Sequence, residues 1–282
     1  MMDVLSYTFM QNAIAASILA SIICGVIGPF IVTRRMVFIS GGLSHTAFGG
    51  LGIAYWLGAN PLYGAVVFVL GAAVVIAGLE ERIDGNDLLI GILWAFGVAV
   101  GVVFIHMTPG FTPDLMTFLF GNILTVSRSD IAIALVLVIV ICLTVFIFFK
   151  GFVSIALDED YARARGIPVN LLNLCMMILI ALSIVILLQV VGIILVIALL
   201  TIPVAIARET TFHFRRVMLF STLWGITICL AGLILSYFAE LPSGAAIILL
   251  GTLILGFIRA GKWLSRRLFL ERRAGEKTGE KI

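Results

Sequence analysis

Polar residues in this chain are confined to short interruptions between long apolar runs. Nine such runs cover residues 9–32, 37–57, 62–79, 88–107, 131–149, 171–189, 191–207, 217–238 and 244–261. Each approaches the roughly 20 apolar residues that a helix needs to cross a bilayer. Barrel strands instead alternate over segments of about 10 residues, so the continuous runs select helices, which satisfy every backbone group internally. Only a short turn around Gln189 and Gly192 separates the sixth and seventh runs, and one bent element there would reduce the count to eight. The pattern predicts an all-α, polytopic membrane helical bundle with eight to nine transmembrane helices. Residues 1–262 form one transmembrane domain, and 263–282 a basic tail expected to fray at an anionic lipid surface.

Composition agrees with the pattern: 62% of the 282 residues are hydrophobic and 12% are charged, against about 25% charged in a soluble domain. The distribution of charge sets the orientation. If the polar segment 154–168 faces the cytoplasm and the spans alternate outward from it, seventeen of the eighteen Lys and Arg residues become cytoplasmic, leaving Arg128 outside. That satisfies the positive-inside rule with an outer N-terminus and a cytoplasmic C-terminus, in a multi-pass membrane protein. The outer face then carries Asp3, Asp114, Asp130 and Glu240, an acidic mouth that attracts cations weakly. Asp114 and Glu240 are candidate transient metal contacts there. The first run lacks a basic lead-in and a small-residue cleavage site, so it is expected to be a retained span. The cysteines Cys24, Cys142, Cys175 and Cys229 each lie alone in an apolar run and read as buried thiols.

The one mid-chain departure from hydrocarbon is SIALDEDYARARGIP, where Asp158, Glu159, Asp160, Arg163 and Arg165 fall within eight residues. Acids at the start and arginines at the end match the helix dipole, and Gly166 with Pro168 stops the helix. A short charged helix over 158–166, hung between spans, is expected to bind something in water. The outer segment 108–130 has an apolar middle too short to cross, which reads as a re-entrant or interfacial helix.

Catalytic chemistry finds little support. Gly256 to Lys262 fits GxxxxGK, but Trp263 follows where Ser or Thr would hold Mg²⁺, and the stretch closes a span instead of following a strand. HExxH is absent, and adjacent Ser44 and His45 point about 100° apart on a helix. No cofactor is expected on this chain, which is not expected to be an enzyme, and any ATP would be hydrolysed by another subunit. A stand-alone secondary metal carrier or channel is the alternative reading; it would call for intramembrane charges or matching broken helices.

His45 is the ionisable group placed deepest in a span, within ISGGLSHTAFGGLG. It reads either as a histidine bonded to a neighbouring carbonyl or as a transient ligand for a transition metal. Gly41, Gly42, Gly49 and Gly50 around it let helices approach closely. Pro203 is expected to kink the seventh run near its cytoplasmic end, as a gate or as a static bend.

Taken in order, RRMVFISGGLSHTAFGG (34–50), IDGNDLLIGILWAFGVAVGVVF (83–104), LMTFLFGNIL (115–124), LDEDYARARGIP, VGIILVIALLTIPVAIAR (191–208) and ELPSGAAIILL (240–250) resemble one family across nearly the whole chain. That family is the permease subunits of prokaryotic ABC transporters for zinc, manganese and iron. The resemblance implies a homodimer, an ABC ATPase docked on a coupling helix, and an extracytoplasmic binding protein that delivers metal; nucleic acid has no part. The coupling role falls on Asp158, Glu159, Asp160, Tyr161, Arg163, Arg165 and Gly166. Family usage puts zinc first and manganese second. Many members carry Asp four residues before the histidine, as in GDxLSH, where this chain has Gly41.

Overall fold

The computed structural model describes residues 7–79, 86–109, 121 and 123–279. Asp3, Arg82, Asp114 and the middle of the 108–130 segment lie outside the described residues. The helices are α1 (Thr8–Thr33), α2 (Val37–Trp56), α3 (Pro61–Leu79), α4 (Asn86–Met107), α5 (Arg128–Leu157), α6 (Glu159–Ala164), α7 (Val169–Val191), α8 (Ile193–Thr210), α9 (Phe214–Ala239) and α10 (Ser243–Gly279), with a 3₁₀ turn at Ile123–Thr125. All but α6 are long and apolar enough to cross a membrane, giving nine candidate spans among the described residues.

Gly192 decides between eight and nine. Its φ of +79° is a conformation that side chains resist, and it separates α7 from α8. The backbone of Gly121 packs directly on Val191 and Gly192, so the break is filled by chain. α10 runs unbroken past residue 262 to Gly279, carrying the start of the basic tail as helix.

Helices α1, α2, α7 and α8 are the most enclosed, whereas α3, α4, α5 and α10 present most of their surface outward. α1 packs on α9, α5 and α8; α2 packs on α4, α3, α7 and α8. Small residues make these approaches possible, because membrane helices associate by close packing rather than by expelling water. A Cβ added to Gly52 would sit 2.5 Å from the carbonyl oxygen of Gly101, and one added to Gly97 would sit 2.5 Å from the Thr46 Cα. Along α1 and α9 the same device recurs, where the Ser221 hydroxyl donates to the Gly25 carbonyl at 3.0 Å.

One end of the bundle gathers the basic residues. There Phe30 of α1 meets Phe152 of α5 and Phe214 of α9, with ring centroids 6.0 and 4.6 Å away. At the same end Glu209 accepts from Arg259 at 3.2 Å and from Lys262 at 3.1 Å, tying α8 to α10.

Candidate functional site: a braced helix and a membrane-depth histidine

α5 is the rod that carries the charged helix. Ser127 and Asp130 cap it reciprocally: the Asp130 amide donates to the Ser127 hydroxyl at 3.2 Å, and the Ser127 amide donates to the Asp130 carboxylate at 3.0 Å. Asp130, read from sequence as part of an acidic mouth, is therefore a helix cap. α5 has 30 residues, about 45 Å of helix against a hydrocarbon layer of about 30 Å. Arg128 and Lys150 bracket that layer, so the last two turns project beyond it and end at α6.

α6 starts because Asp158 sits in extended conformation and its carboxylate accepts from the Tyr161 amide at 2.9 Å. It stops at Gly166, with φ +75°. One face turns inward. Ala162 is fully buried, and the Glu159 carboxylate accepts from Arg34 at 2.9 Å, from Arg163 at 3.2 Å and from Asn173 at 3.4 Å. Arg34 also donates to the Asn173 side-chain oxygen at 2.6 Å. The Arg34 side chain is only 10% exposed, so this charge-assisted network ties α6 to the ends of α1 and α7. The other face turns outward: Asp158, Asp160, Tyr161, Arg163, Arg165 and Gly166 are all exposed. Arg165 donates to the Tyr161 hydroxyl at 3.0 Å and lies over its ring at 5.7 Å, which stiffens that face.

His45 lies nine residues into α2 from Met36, about 14 Å along the axis and close to mid-membrane depth. It forms no hydrogen bond among the described residues; its ring stacks on Trp94 of α4 at 4.3 Å and 11°. The carbonyl-bonded histidine of the sequence reading is not what the helices build. The stack is set by its neighbours: the Thr46 hydroxyl donates across to the Leu93 carbonyl at 3.2 Å, and Gly49 meets Gly97, where a Cβ would lie 2.9 Å from the carbonyl oxygen. Phe38 also lies against Trp94, with ring centroids 5.9 Å apart and tilted by 47°.

The glycines divide. Gly42, Gly49 and Gly50 face Ile90, Phe68 and Gly64 too closely for any side chain, but a Cβ at Gly41 meets only Ile197, at an ordinary 3.5 Å. Pro203 is buried in α8, which continues as helix through it. Glu240 closes α9 in an exposed left-handed cap with φ 53°. α9 packs on α1, α8 and α10, so Glu240 and His45 sit on helices that are not neighbours. Among the described residues no cluster of three or more His, Cys, Asp or Glu could hold a metal ion. Trp94, Arg34 and Asn173 are residues the sequence reading did not single out, because each acts through a partner distant in the chain.

Residues 6–260 match the family described as the ABC 3 transport family. The chain belongs to that family. It is 44% identical over 254 residues to an uncharacterised membrane protein of Synechocystis, covering 90% of each chain. It is also 36% identical over 252 residues to the manganese transport system membrane protein MntC of Halalkalibacterium halodurans, covering 89% of this chain and 86% of that one. Among solved structures, PsaBC from Streptococcus pneumoniae in complex with Fab superposes with a TM-score of 0.82 at 32% identity, over 91% of this chain and 93% of that one. The resemblance to permeases of metal ABC transporters thus holds along nearly the whole length, and the chain is a multi-pass membrane transport permease rather than an enzyme.

Proposed function

We propose that this permease of an ABC metal importer carries manganese into the cell, as one of two identical copies. A separate ATPase binds the outward face of α6 and hydrolyses the ATP, and this chain binds no cofactor of its own. An extracytoplasmic protein delivers the ion at the opposite end, where Glu240 and Asp114 lend weak attraction. The positive-inside rule supports a cytoplasmic α6 and C-terminus, with residues 1–262 as the transport domain and the basic tail at the inner surface.

The observation that carries the reading is the two-sidedness of α6. Glu159 is locked to Arg34 and Asn173 while Asp160, Tyr161 and Arg165 face outward. A push on the outward face passes through Glu159 into α1 and α7, and through α5 into the bundle. His45 is the transient contact for the ion on its way, with Trp94 holding the imidazole plane. The manganese systems named among the relatives support manganese over the zinc expected first. Uptake of radiolabelled manganese by cells expressing this chain with its neighbouring ATPase and binding protein, in competition with zinc and ferrous iron, tests the cargo. Uptake that zinc or iron suppresses at concentrations below that of manganese would overturn it.

A further inference from the structure

Away from His45, an open groove of about 750 Å³ runs between α5 and α9. Val145, Phe146, Phe149 and Met218 line it, and Lys150 and Arg215 stand at its rim toward the α6 end. Both rim side chains are exposed, and neither pairs with a carboxylate among the described residues. The Arg215 guanidinium lies 5.0 Å over the Phe149 ring, which fixes it above the apolar wall.

Depth makes these cations informative. Lys150 follows Arg128 by 22 residues on α5, about 33 Å, which places its ammonium at the boundary of a hydrocarbon layer of about 30 Å. Headgroup phosphates lie at that level. Below the rim the groove is hydrocarbon-lined, and Phe146 is 80% exposed within it. The charge and the apolar channel complement a single molecule with an anionic head and an acyl chain.

We propose that the α5–α9 groove binds an anionic phospholipid, with Lys150 and Arg215 on the phosphate and an acyl chain laid along Val145 and Phe146. A zwitterionic lipid brings the same chain and phosphate with a balancing ammonium, so it loses the net attraction to two cations. Because α5 continues into α6, a lipid seated here braces the rod that bears the coupling face. The site depends on the membrane setting alone and stands whichever metal is carried.

Native mass spectrometry of the purified full chain, exchanged into equal phosphatidylglycerol and phosphatidylcholine, tests it. Each juxtamembrane cation contributes about fivefold toward an anionic lipid, so the pair gives about twenty-fivefold retention of phosphatidylglycerol over phosphatidylcholine. K150Q/R215Q brings the two lipids to near parity. K150R/R215K keeps the preference, as does Arg216→Gln, which lies outside the groove. Equal retention of both lipids by the wild type, or an undiminished preference in K150Q/R215Q, overturns the proposal. The wild-type comparison stands even if a variant fails to fold.

Discussion

Arg34, just past the end of α1, holds Glu159, the first residue of α6, at 2.9 Å across 125 positions of chain. The bond converts a six-residue helix that could not stand alone in water into a fixed part of the bundle. Arg34→Met is expected to leave the spans folded but to lower ATP-driven uptake, because force on α6 no longer reaches α1. A double-mutant cycle with Glu159→Gln should return a coupling of about 0.5–3 kcal/mol, as for other residues sharing one charge network. A coupling near zero would mean that the pair is not the brace.

The outward face of α6 makes a separate prediction. Arg165→Glu should weaken co-purification of the ATPase and uncouple transport without lowering the thermal stability of the permease, since Arg165 is exposed and stands outside the Glu159 network, and such substitutions usually change stability by less than about 0.5 kcal/mol. Tyr161→Ala should do the same more weakly. Unchanged co-purification and uptake in both variants would remove α6 from the docking role.

His45→Ala is expected to cut uptake at limiting manganese and to recover at excess metal, the pattern of a lost way-station. Trp94→Phe should keep most activity by preserving a ring to stack on, whereas Trp94→Ala frees the imidazole and loses a contact of about 0.5–1.5 kcal/mol. Normal uptake by His45→Ala at limiting metal would reduce the residue to packing.

Two glycines of α2 should respond oppositely. Gly52→Ala drives a methyl into the Gly101 backbone and is expected to cost about 1–3 kcal/mol, as overpacking does. Gly41→Ala meets only Ile197 at 3.5 Å and should be near neutral. Thermal unfolding in detergent distinguishes them.

The spans were legible because lipid demands long apolar runs, and the observed helices agree to within a few residues except where they outrun the hydrocarbon. α5 extends eight residues beyond the run that ends at 149, since its last turns rest on the aromatic cluster of Phe152 and Phe214 rather than on lipid. The charged helix was legible from Asp158 and Gly166, but its division into a braced and a free face was not: nothing local marks Glu159 as inward, because Arg34 and Asn173 arrive from other helices. The His45 stack was hidden for the same reason. Four glycines in one motif look alike in sequence, and only the neighbouring backbone separates Gly41 from Gly42, Gly49 and Gly50.

The most direct test of the transport account is ATP hydrolysis in proteoliposomes that hold this chain with its neighbouring ATPase and binding protein, supplied with manganese, zinc or ferrous iron in turn. The account predicts that manganese stimulates hydrolysis and uptake together, and that Arg34→Met breaks that link. Metal uptake by this chain alone, indifferent to ATP, would contradict it.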